Sequence, residues 1–510
     1  MPPPPPEPET SPSLSPLKSA LRRIDKLNAI LEVAKAMAAQ HNLDTLLPLI
    51  MREAARVLEA DRCSLFILDE HKGELWSRVA QGVTGEIRVP LGQGVVGAVA
   101  QTGQLVNLVD AYEDPRFQRD WDVKNGYRTK SVLCVPMRDT HGEVAGVLQA
   151  LNALDGAFDG EDEELLLTLG GQAAQAIENV MLHEEISRLF EGFVQASVMA
   201  IESRDPTTAG HSGRVASLTV ELAQAAEHAP QGPYRALTFT EEQIQELRYA
   251  SLLHDFGKIG VREPVLVKAD KLYPAELEVV KHRFELARKD RRLASMTRRL
   301  AAVKMRGDRE LEAIDHEEDQ RLEKELAELD GALEFLLQCN RPTVLAQGGF
   351  ERLNAIGELG FFDSSGRAAQ LLSPAEVQVL SIPRGSLSVA ERREIESHVT
   401  HTFRFLSQIP WTRSLKRVPE IAYAHHEKLD GKGYPRAVGA DVIPVQSKMM
   451  AISDIYDALT AADRPYKKAL PLEPALDILK REAQIGQLDQ ELFDIFLGAR
   501  IWEKAIRRGP

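Results

Sequence analysis

The spacing of hydrophobic residues changes along the chain, and each spacing predicts a different element. Between residues 18 and 60, apolar side chains such as Leu21 and Ile24 recur every three or four positions, which indicates amphipathic helix. Between residues 62 and 155, short apolar runs such as RCSLFILD, GELWSRVA, SVLCVPM and EVAGVLQALN are separated by turn-forming residues, which is typical of strands joined by hairpins. We therefore expect an α+β domain with a central, meander-like antiparallel sheet and flanking helices.

A single long helix is predicted over residues 162–203. Within it Leu182, Ile186, Leu189 and Phe193 are spaced four, three and four residues apart, which is the spacing of a coiled-coil seam. Two interpretations follow. The helix pairs with a second copy of the chain and acts as a lever between two protomers, which implies a homodimer, or it packs on its own domain.

A second helical pattern is rich in charges of both signs. The stretch RRLASMTRRLAAVKMRGDRELEAIDHEEDQRLEKELAELDGALEFLLQCN predicts two amphipathic helices joined near Gly307 as a hairpin. The mixed charges are those of a solvated helix pair rather than of a nucleic-acid surface. The role of this hairpin, as a lid, a dimer arm or a surface for a partner, stays open.

Composition narrows the class of protein. At 510 residues the chain is too long for one core, so two or three domains are expected. The net charge of −14 argues against a nucleic-acid partner, and three widely spaced cysteines exclude a disulfide framework and a thiolate zinc site. No apolar run reaches the roughly 18 residues that cross a bilayer. Because MPPPPPEPETSPSLSP has neither a basic nor an apolar signal region, we expect a cytoplasmic protein with no membrane contact.

Histidines and carboxylates concentrate in the C-terminal part, where nine of the 13 histidines lie in the last 300 residues. LLHDFGKIG places His254 beside Asp255, HHEKLDGKGYP places His425 beside His426, and AISDIYDAL contains Asp454. Imidazole and carboxylate ligands without thiolate suit iron, manganese or other borderline divalent ions. The three motifs together therefore predict a metal site, although a hydrogen-bonded structural pair is the commoner explanation of one His-Asp pair alone.

The HDFGK motif can also contribute to a two-metal site. LLHDFGKIG is predicted to be helical up to Gly257, and adjacent side chains such as His254 and Asp255 point about 100° apart on a helix. Both reach one metal cluster if it lies between these directions, and Asp255 can then bridge two ions about 3.5–4 Å apart. Lys258 lies one turn beyond His254, where its ammonium can meet a phosphate oxygen.

The first half of the chain resembles a known sensor module. The stretch from PLGQGVVGAVAQTGQ through NGYRTKSVLCVPM to LNALDGAFDGEDEELL resembles a GAF domain over roughly residues 40–180, which implies an unknown small-molecule ligand or, alternatively, a fold that serves dimerisation or packing. GAF domains that bind cyclic nucleotides often carry an Asn-Lys, Phe, Asp-Glu signature. This chain has Ala153 in place of the lysine, beside Asn152, Phe158, Asp162 and Glu163. Since alanine cannot form the lysine's ion pair, we expect no cyclic-nucleotide binding of the usual kind.

The second half resembles a family of hydrolases. LLHDFGKIG, HHEKLDGKGYP and SDIYDALTAADRPYKKAL resemble the HD-GYP family of cyclic di-GMP phosphodiesterases, a branch of the HD metal-dependent phosphohydrolases, over roughly residues 190–500. The resemblance implies two divalent ions, iron or manganese, bound by His211, His254, Asp255, His398, His425, His426 and Asp454. It implies catalytic roles for Asp255 and Lys258. It also implies substrate contacts by Lys258, Tyr434, Arg464 and Lys467.

The same resemblance sets the limits of the site. Family members with a third ion hold it with a glutamate one turn before the first histidine, and Thr207 occupies that position, so two ions are expected. Arg214 is a neighbour of His211 on the same helix. Asp457 and Asp463 are expected to form hydrogen bonds and helix caps, outside the site. Other residues of HHEKLDGKGYP are expected to shape the rim that faces substrate.

One further ligand of the family has two candidates in this chain. KADKLYPAELEVVKHRF carries His282 and RGSLSVAERREIESHVTHTFRFL carries His398, each after a similar helix start. The family places this histidine about 26 residues before the double histidine. His398 lies 27 residues before His425, whereas His282 lies 143 before it. We therefore predict that His398 is the ligand, that His401 either supports a ligand or is structural, and that about residues 265–385 are an insertion.

These patterns predict a disordered proline-rich tail over residues 1–17, a GAF domain with an N-terminal helix over 18–160, a linker helix over 161–203, and an all-α HD-type domain over 204–500 that contains the hairpin insertion. The predicted function is GAF-regulated hydrolysis of cyclic di-GMP to the linear dinucleotide or GMP. Two alternatives are a catalytically silent cyclic-dinucleotide receptor that signals to a protein partner and a general HD nucleotide phosphohydrolase. The full ligand set disfavours the first, and HHEKLDGKGYP disfavours the second.

Overall fold

The computed structural model describes eight stretches of the chain. They are residues 15–40, 42–77, 86–204, 209–229, 231–342, 348–363, 365–461 and 469–508. Most of the predicted tail lies outside these stretches, and so do Thr207, Asp463, Arg464 and Lys467. The chain forms two compact units, residues 1–191 and residues 192–510.

The first unit is an antiparallel sheet with helices on both faces. Its elements are α1 (Ser15–Ala38), α2 (Leu43–Val57), β1 (Ala60–Asp69), β2 (Glu74–Ser77), β3 (Ile87–Pro90), α3 (Gly94–Thr102), β4 (Val106–Leu108), a 3-10 helix (Ala111–Glu113), α4 (Arg119–Asn125), β5 (Val132–Arg138), β6 (Val144–Ala153) and the first part of α5 (Gly160–Arg204). The strand order is β3-β2-β1-β6-β5-β4. The sheet is therefore two three-stranded meanders joined by the pairing of β1 with β6, rather than one continuous meander.

Both faces of this sheet are buried because successive residues of a strand point to opposite sides. Along β1, Cys63, Leu65 and Ile67 pack in a core with residues of α2 and α5. Phe66, between them, packs in a second core with α3. The two cores explain why the strand sequences are nearly continuous apolar runs rather than strict alternations.

The helical pattern at the start of the chain is two helices and not one. Asn42 precedes α2 in an extended conformation, and its Oδ1 accepts a hydrogen bond from the N–H of Asp44 at 2.6 Å. A cap of this kind starts a new helix, because it satisfies an N–H that has no partner within the helix. The long helix predicted over residues 162–203 is α5, and its seam positions Leu182, Ile186, Leu189 and Phe193 are all exposed.

The second unit is mostly helical. After the end of α5 it contains α6 (His211–Glu227), α7 (Glu241–Leu253), a 3-10 helix (Phe256–Gly260), α8 (Glu263–Leu266), α9 (Pro274–Arg306), a 3-10 helix (Asp308–Glu310), α10 (Leu311–Asn340), α11 (Gly349–Glu358), β7 (Gly360–Phe362), β8 (Ala368–Gln370), α12 (Pro374–Leu380), α13 (Val389–Leu406), α14 (Val418–Tyr423), α15 (Val445–Thr460), α16 (Leu472–Gln484), α17 (Gln490–Gly498) and α18 (Ile501–Arg508). Helix α6 packs against α7 and α15, and α13 packs against α14 and the 3-10 helix after α7.

The segment between α8 and α13 has a hydrophobic core of its own. Helices α9 and α10 form the predicted hairpin, with Gly307 at the end of α9. Side chains from α9, α10, α11, β7 and α12, such as Phe284 and Leu336, form one buried cluster. The two ends of the segment lie close together: the buried Lys271 ammonium, near its start, donates a hydrogen bond to the Leu380 carbonyl, near its end, at 2.9 Å.

The predicted fold class is confirmed. An α+β unit with a central antiparallel sheet precedes a helical unit with a helical-hairpin insertion, and the two-stranded ladder β7-β8 is a small exception to the predicted all-α composition. Within the described stretches, no helix combines the length and the apolar character that a membrane span requires.

Candidate metal centre

Seven side chains from five parts of the second unit meet in one place. His211 is the first residue of α6, His398 lies on α13 and Asp454 lies on α15. The other four follow the ends of α7 and α14 and are His254, Asp255, His425 and His426. All of them are buried except His426, whose side chain is 26% exposed. The residues that the sequence predicts as a ligand set are therefore brought together by the fold.

Three of the histidines are oriented by the same local hydrogen bond. The Nδ1 atoms of His254, His398 and His425 each lie 2.5–2.7 Å from the carbonyl oxygen of the residue three positions earlier. A carbonyl oxygen only accepts hydrogen bonds, so Nδ1 carries the proton and Nε2 keeps its lone pair. These three Nε2 atoms are buried, and none has a hydrogen-bond partner among the described residues.

Asp255 faces histidines on both sides. Its Oδ2 lies 3.4 Å from Nε2 of His254 and 3.7 Å from Nε2 of His211. Its Oδ1 lies 3.3 Å from Nε2 of His398. One carboxylate thus presents one oxygen to each of two histidine groups, which is the arrangement that a bridging ligand needs.

Asp454 divides its oxygens in the same way. Its Oδ1 lies 3.2 Å from Nε2 of His211 and 3.9 Å from Nε2 of His254. Its Oδ2 lies 3.8 Å from Nδ1 of His426. The sequence predicts Asp454 as a ligand without assigning it to one ion or to both, and this geometry places it between the same two groups as Asp255.

The donor atoms fit divalent metal ions. In each of three overlapping triads the candidate ligand atoms lie within 4.8 Å of one another; the triads are His398, His425 and His426, then His211, His254 and Asp255, and then His254, His425 and Asp454. A buried imidazole lone pair without a donor is costly, and a cation between these atoms satisfies it. Neutral imidazoles and carboxylates without thiolate suit iron or manganese. The cluster can therefore hold metal, in a set of donors large enough for two ions.

The ionisation of the cluster favours metal binding. Burial lowers the pKa of His254 and moves the pKa of His425 well below its usual range, so both rings are neutral near pH 7. Burial alone would raise the pKa of Asp255, but Lys258 and the neighbouring histidines hold it well below its ordinary value. For His211 burial opposes a charge, yet hydrogen bonds with two aspartates raise its pKa to about 9. A cation at Nε2 of His211 would replace that proton.

Asp457, which the sequence places outside the site, lies beside the cluster. The Asp457 carboxylate accepts a hydrogen bond from Nδ1 of His211 at 2.7 Å and also binds the guanidinium of Arg214 at 2.7 and 3.1 Å. It thus orients His211 as backbone carbonyls orient His254, His398 and His425. The prediction of hydrogen bonding for Asp457 agrees with this geometry. Asp457 lies one turn after Asp454 on α15, and the packing of α15 against α6 brings it to His211.

The predicted substrate contacts can be located in part. Nζ of Lys258 lies 2.8 Å from Oδ2 of Asp255, so the ammonium is already in contact with the cluster. The Tyr434 ring lies 4.8 Å from the His426 ring, centre to centre. Burial raises the pKa of Tyr434, which keeps its hydroxyl protonated. Arg464 and Lys467 lie outside the described residues.

The helix of LLHDFGKIG ends earlier than predicted. Helix α7 ends at Leu253, and a 3-10 helix begins at Phe256, so the prediction of helix up to Gly257 is wrong. The reason is tertiary. A Cβ atom at Gly257 would overlap the His398 carbonyl oxygen and the Thr402 nitrogen, so glycine allows α13 to lie directly against this turn. The Thr402 hydroxyl also accepts the Gly257 N–H and donates to the His254 carbonyl.

The two candidate histidines lie in different surroundings. His398 is buried and faces Asp255. His282 is exposed on α9 and belongs to none of the three triads. His401, predicted to support a ligand or to be structural, lies on α13 one turn after His398. Its ring lies against Gly260, where a Cβ atom would lie 2.5 Å from the ring Nδ1.

The first unit contains a small cavity of about 170 Å³ beside the sheet. Its lining includes Arg62, Ser64, Phe117, Tyr127 and Gln149. The cavity is smaller than the roughly 300–1,000 Å³ of most small-molecule sites.

The signature residues of this unit form internal contacts. Asn152 donates to the Tyr127 hydroxyl and to the Arg128 carbonyl. Glu163 accepts from the Asn107 amide at 2.8 Å, and the Asp162 carboxylate lies 3.5 Å from the Lys26 ammonium. Asp162 therefore has an ion-pair partner in Lys26 of α1, although residue 153 is alanine.

Two family models match the chain. The GAF-domain model matches residues 42–177, and the HD-domain model matches residues 367–492. The chain therefore contains a GAF domain and an HD domain. The HD match includes His398, His425, His426 and Asp454. It starts after LLHDFGKIG and the hairpin, so the remaining three candidate ligands precede it.

Curated relatives are matched over about a third of the chain. The chain is 32% identical over 191 residues to a probable 3′,5′-cyclic phosphodiesterase of Caenorhabditis elegans, a match that covers 34% of this chain and 26% of that protein. It is 36% identical over 165 residues to a dual 3′,5′-cyclic-AMP and -GMP phosphodiesterase 11A of Takifugu rubripes, covering 30% and 18%. The chain thus spans about a quarter or less of the length of these relatives.

Solved structures with similarity include the GAF domain of a phosphoenolpyruvate-protein phosphotransferase from Coxiella burnetii. It is 26% identical, and the match covers 32% of this chain and 98% of that structure with a TM-score of 0.30.

The different surroundings of the two histidines give a prediction. We expect His398→Ala to lower the affinity of the metal-free protein for Mn²⁺ at least tenfold, because it removes a buried donor beside Asp255. His282→Ala serves as the matched control and keeps wild-type affinity. Isothermal titration of both variants measures the effect. Loss of Mn²⁺ affinity in His282→Ala with retention in His398→Ala would reverse the choice of histidine and move the insertion downstream of residue 282.

Proposed function

We propose that the chain is a metal-dependent phosphodiesterase that hydrolyses cyclic di-GMP to the linear dinucleotide or to GMP, under the control of its GAF domain. The observation that carries this proposal is the buried cluster of five histidines and two aspartates, in which three Nε2 lone pairs have no partner among the described residues. A structural core would leave such groups unsatisfied at a high cost in free energy.

The proposed centre is dinuclear. When bound, two divalent ions supply hydroxide near neutral pH and positive charge against the phosphate oxygens. One ion would be held by His211 and His254 and the other by His398, His425 and His426. Asp255 and Asp454 would bridge them, each with one oxygen toward each group.

The chain's own residues bind and orient the phosphodiester. The Lys258 ammonium lies in contact with Asp255, beside the cluster, where it can donate a hydrogen bond to a phosphate oxygen. Tyr434 stays protonated, because burial raises its pKa, and its hydroxyl would donate a hydrogen bond to substrate beside His426, the most exposed histidine of the set. Arg464 and Lys467 would contact the phosphates, as the resemblance to the HD-GYP family implies.

The loop of HHEKLDGKGYP is built to hold this rim in place. The buried Glu427 carboxylate accepts hydrogen bonds from the N–H groups of Arg436 at 2.7 Å and Val438 at 3.1 Å. A side chain at Gly433 would overlap the backbone of Glu427 and Lys428. The loop therefore folds back on itself, and Tyr434 is fixed beside His426. We propose cyclic di-GMP as the substrate because this loop is what distinguishes the motif from other HD hydrolases.

The exposed seam of α5 supports a homodimer. Leu182, Ile186, Leu189 and Phe193 have 46–76% of their surface exposed and lie along one side of the helix. Exposed apolar residues at this spacing are the positions that a parallel two-stranded coiled coil buries. We propose that a second copy of the chain covers them, so that the GAF domain acts on the HD domain through a paired helix.

The metal-dependent hydrolysis is tested by Asp255→Ala. Because Asp255 faces both histidine groups, we expect the variant to lose bound metal and at least about a hundredfold in cyclic di-GMP hydrolysis. The matched control is Asp441→Ala, which removes an exposed aspartate. Metal content and hydrolysis are measured on the same anaerobically purified samples.

The other functions give different results in that assay. Full activity of Asp255→Ala contradicts the bridge. Hydrolysis of 3′,5′-cyclic AMP or GMP by the wild type, with no hydrolysis of cyclic di-GMP, contradicts the substrate but keeps the hydrolase. Tight binding of cyclic di-GMP without any turnover favours a receptor.

The second prediction concerns the GAF domain. We expect no micromolar binding of cyclic AMP or cyclic GMP there. The cavity of about 170 Å³ supports this expectation, because it is smaller than most small-molecule sites. The absence of the signature lysine does not decide the matter, since Asp162 pairs with Lys26. Calorimetric titration of the metal-free full chain measures this. If micromolar binding occurs and Ser64→Trp, which fills the cavity, removes it, the prediction is wrong.

The third prediction concerns the seam. We expect the wild type to have twice the chain mass by light scattering and Ile186→Asp to dissociate at the same concentration, because a buried charge at a seam position is costly. Ser187→Asp places the same charge on the neighbouring exposed position and should stay dimeric. A monomeric wild type, or a dimeric Ile186→Asp, contradicts the proposed seam.

A further inference from the structure

The last turn of α5 makes two hydrogen-bonded contacts with other parts of the second unit. The Arg204 guanidinium donates to the Ile259 carbonyl oxygen at 2.6 Å and to the Val261 carbonyl oxygen at 3.4 Å. The Glu202 carboxylate accepts the N–H of Gly210 at 2.9 Å. Both contacts are between a side chain of the helix and the backbone of a turn.

Each of these turns adjoins the candidate metal centre. Gly210 caps α6 with a positive φ of 67°, and His211 follows it directly. Ile259 follows Lys258, and the same short 3-10 helix begins directly after Asp255. The two contacts therefore fix the backbone on either side of the cluster, at His211 and at Asp255, whose facing atoms lie 3.7 Å apart.

The helix that makes these contacts is continuous with the GAF domain. Helix α5 runs from Gly160 to Arg204, and the GAF match extends to residue 177. Near its end Val194, Val198 and Ile201 are buried. A helix transmits a displacement along its axis because every turn is bonded to the next. The turn that holds the backbone of the candidate centre thus belongs to a helix whose first part lies in the GAF domain.

We propose that Glu202 and Arg204 are positioning residues through which α5 sets the separation of His211 and Asp255. The proposal rests on the proposed metal-dependent function and adds its route of regulation. A shift of the helix would move the Gly210 turn and the Ile259 turn together or apart. The affinity of the cluster for metal then follows the position of a helix that begins in the GAF domain.

The experiment uses the full metal-free chain and variants of one helical turn. Arg204→Ala and Glu202→Ala each remove one contact. Glu202→Gln keeps an oxygen that accepts the Gly210 N–H and is expected to behave as the wild type. Ser203→Ala is the matched control, because its hydroxyl binds only within the helix, to the Ala200 carbonyl, among the described contacts.

Two measurements separate positioning from general stability. We expect Arg204→Ala and Glu202→Ala to raise the Kd for Mn²⁺ about tenfold. Hydrogen exchange of the metal-free protein should become faster in the turn that each variant releases. This turn is residues 256–262 for Arg204→Ala and residues 209–214 for Glu202→Ala. Exchange in α16 and α17 should stay unchanged in both variants.

The outcomes separate this proposal from the proposed function. Wild-type Mn²⁺ affinity and wild-type exchange in both alanine variants would overturn the positioning role, and so would a loss of affinity in Glu202→Gln equal to that in Glu202→Ala. A wild type that binds no Mn²⁺ would instead contradict the metal-dependent function. In that case, faster exchange of the two turns in the alanine variants would still support the contacts made by α5.

Discussion

A buried carboxylate is the constraint on which the second unit is built. Asp255 is almost fully buried, and an ionised carboxylate without compensation would be expelled from such a site or protonated. Its compensation comes from the Lys258 ammonium and from histidines on α6, α13 and the end of α7. Of these groups, His211 on α6 and His398 on α13 are distant in sequence, so both helices must pack against the end of α7 to reach Asp255.

The contact of α13 with the HDFGK turn depends on the absence of one side chain. Gly257 lets the backbone of α13 approach so closely that a Cβ atom would overlap it. The Thr402 hydroxyl then bonds to both the Gly257 N–H and the His254 carbonyl. This contact brings His398 opposite Asp255. The glycine of the motif is thus explained by packing, and the same contact positions His398 in the candidate metal centre.

The segment between α8 and α13, which the sequence predicts to be an insertion, is compatible with the candidate site because its two ends lie close together. Its own hydrophobic core and the bond between Lys271 and the Leu380 carbonyl join its two ends. It is also tied to the start of α13, since the Glu391 carboxylate accepts hydrogen bonds from the Lys268 ammonium at 2.7 Å and the Tyr273 hydroxyl at 2.6 Å. A long segment can therefore separate two ligand motifs in sequence without separating them in space.

The sequence by itself determined what depends on local pattern. Periodicity predicted the sheet, the long α5 and the hairpin at Gly307, because amphipathic spacing follows from the face that an element buries. The motif spacing also favoured His398 over His282, and the structure buries the first beside Asp255 and exposes the second. Residue types alone predicted imidazole and carboxylate as the donor set.

Tertiary structure decided what depends on contacts between distant residues. The end of α7 at Leu253 follows from the approach of α13, which no local pattern encodes. The place of Asp457 at the site depends on α6 and α15 lying side by side, and the ion pair of Asp162 is completed by Lys26, over a hundred positions away. Hydrogen bonds and ion pairs act over a few ångströms of space, whatever the separation in sequence, so only the folded chain shows which partners meet.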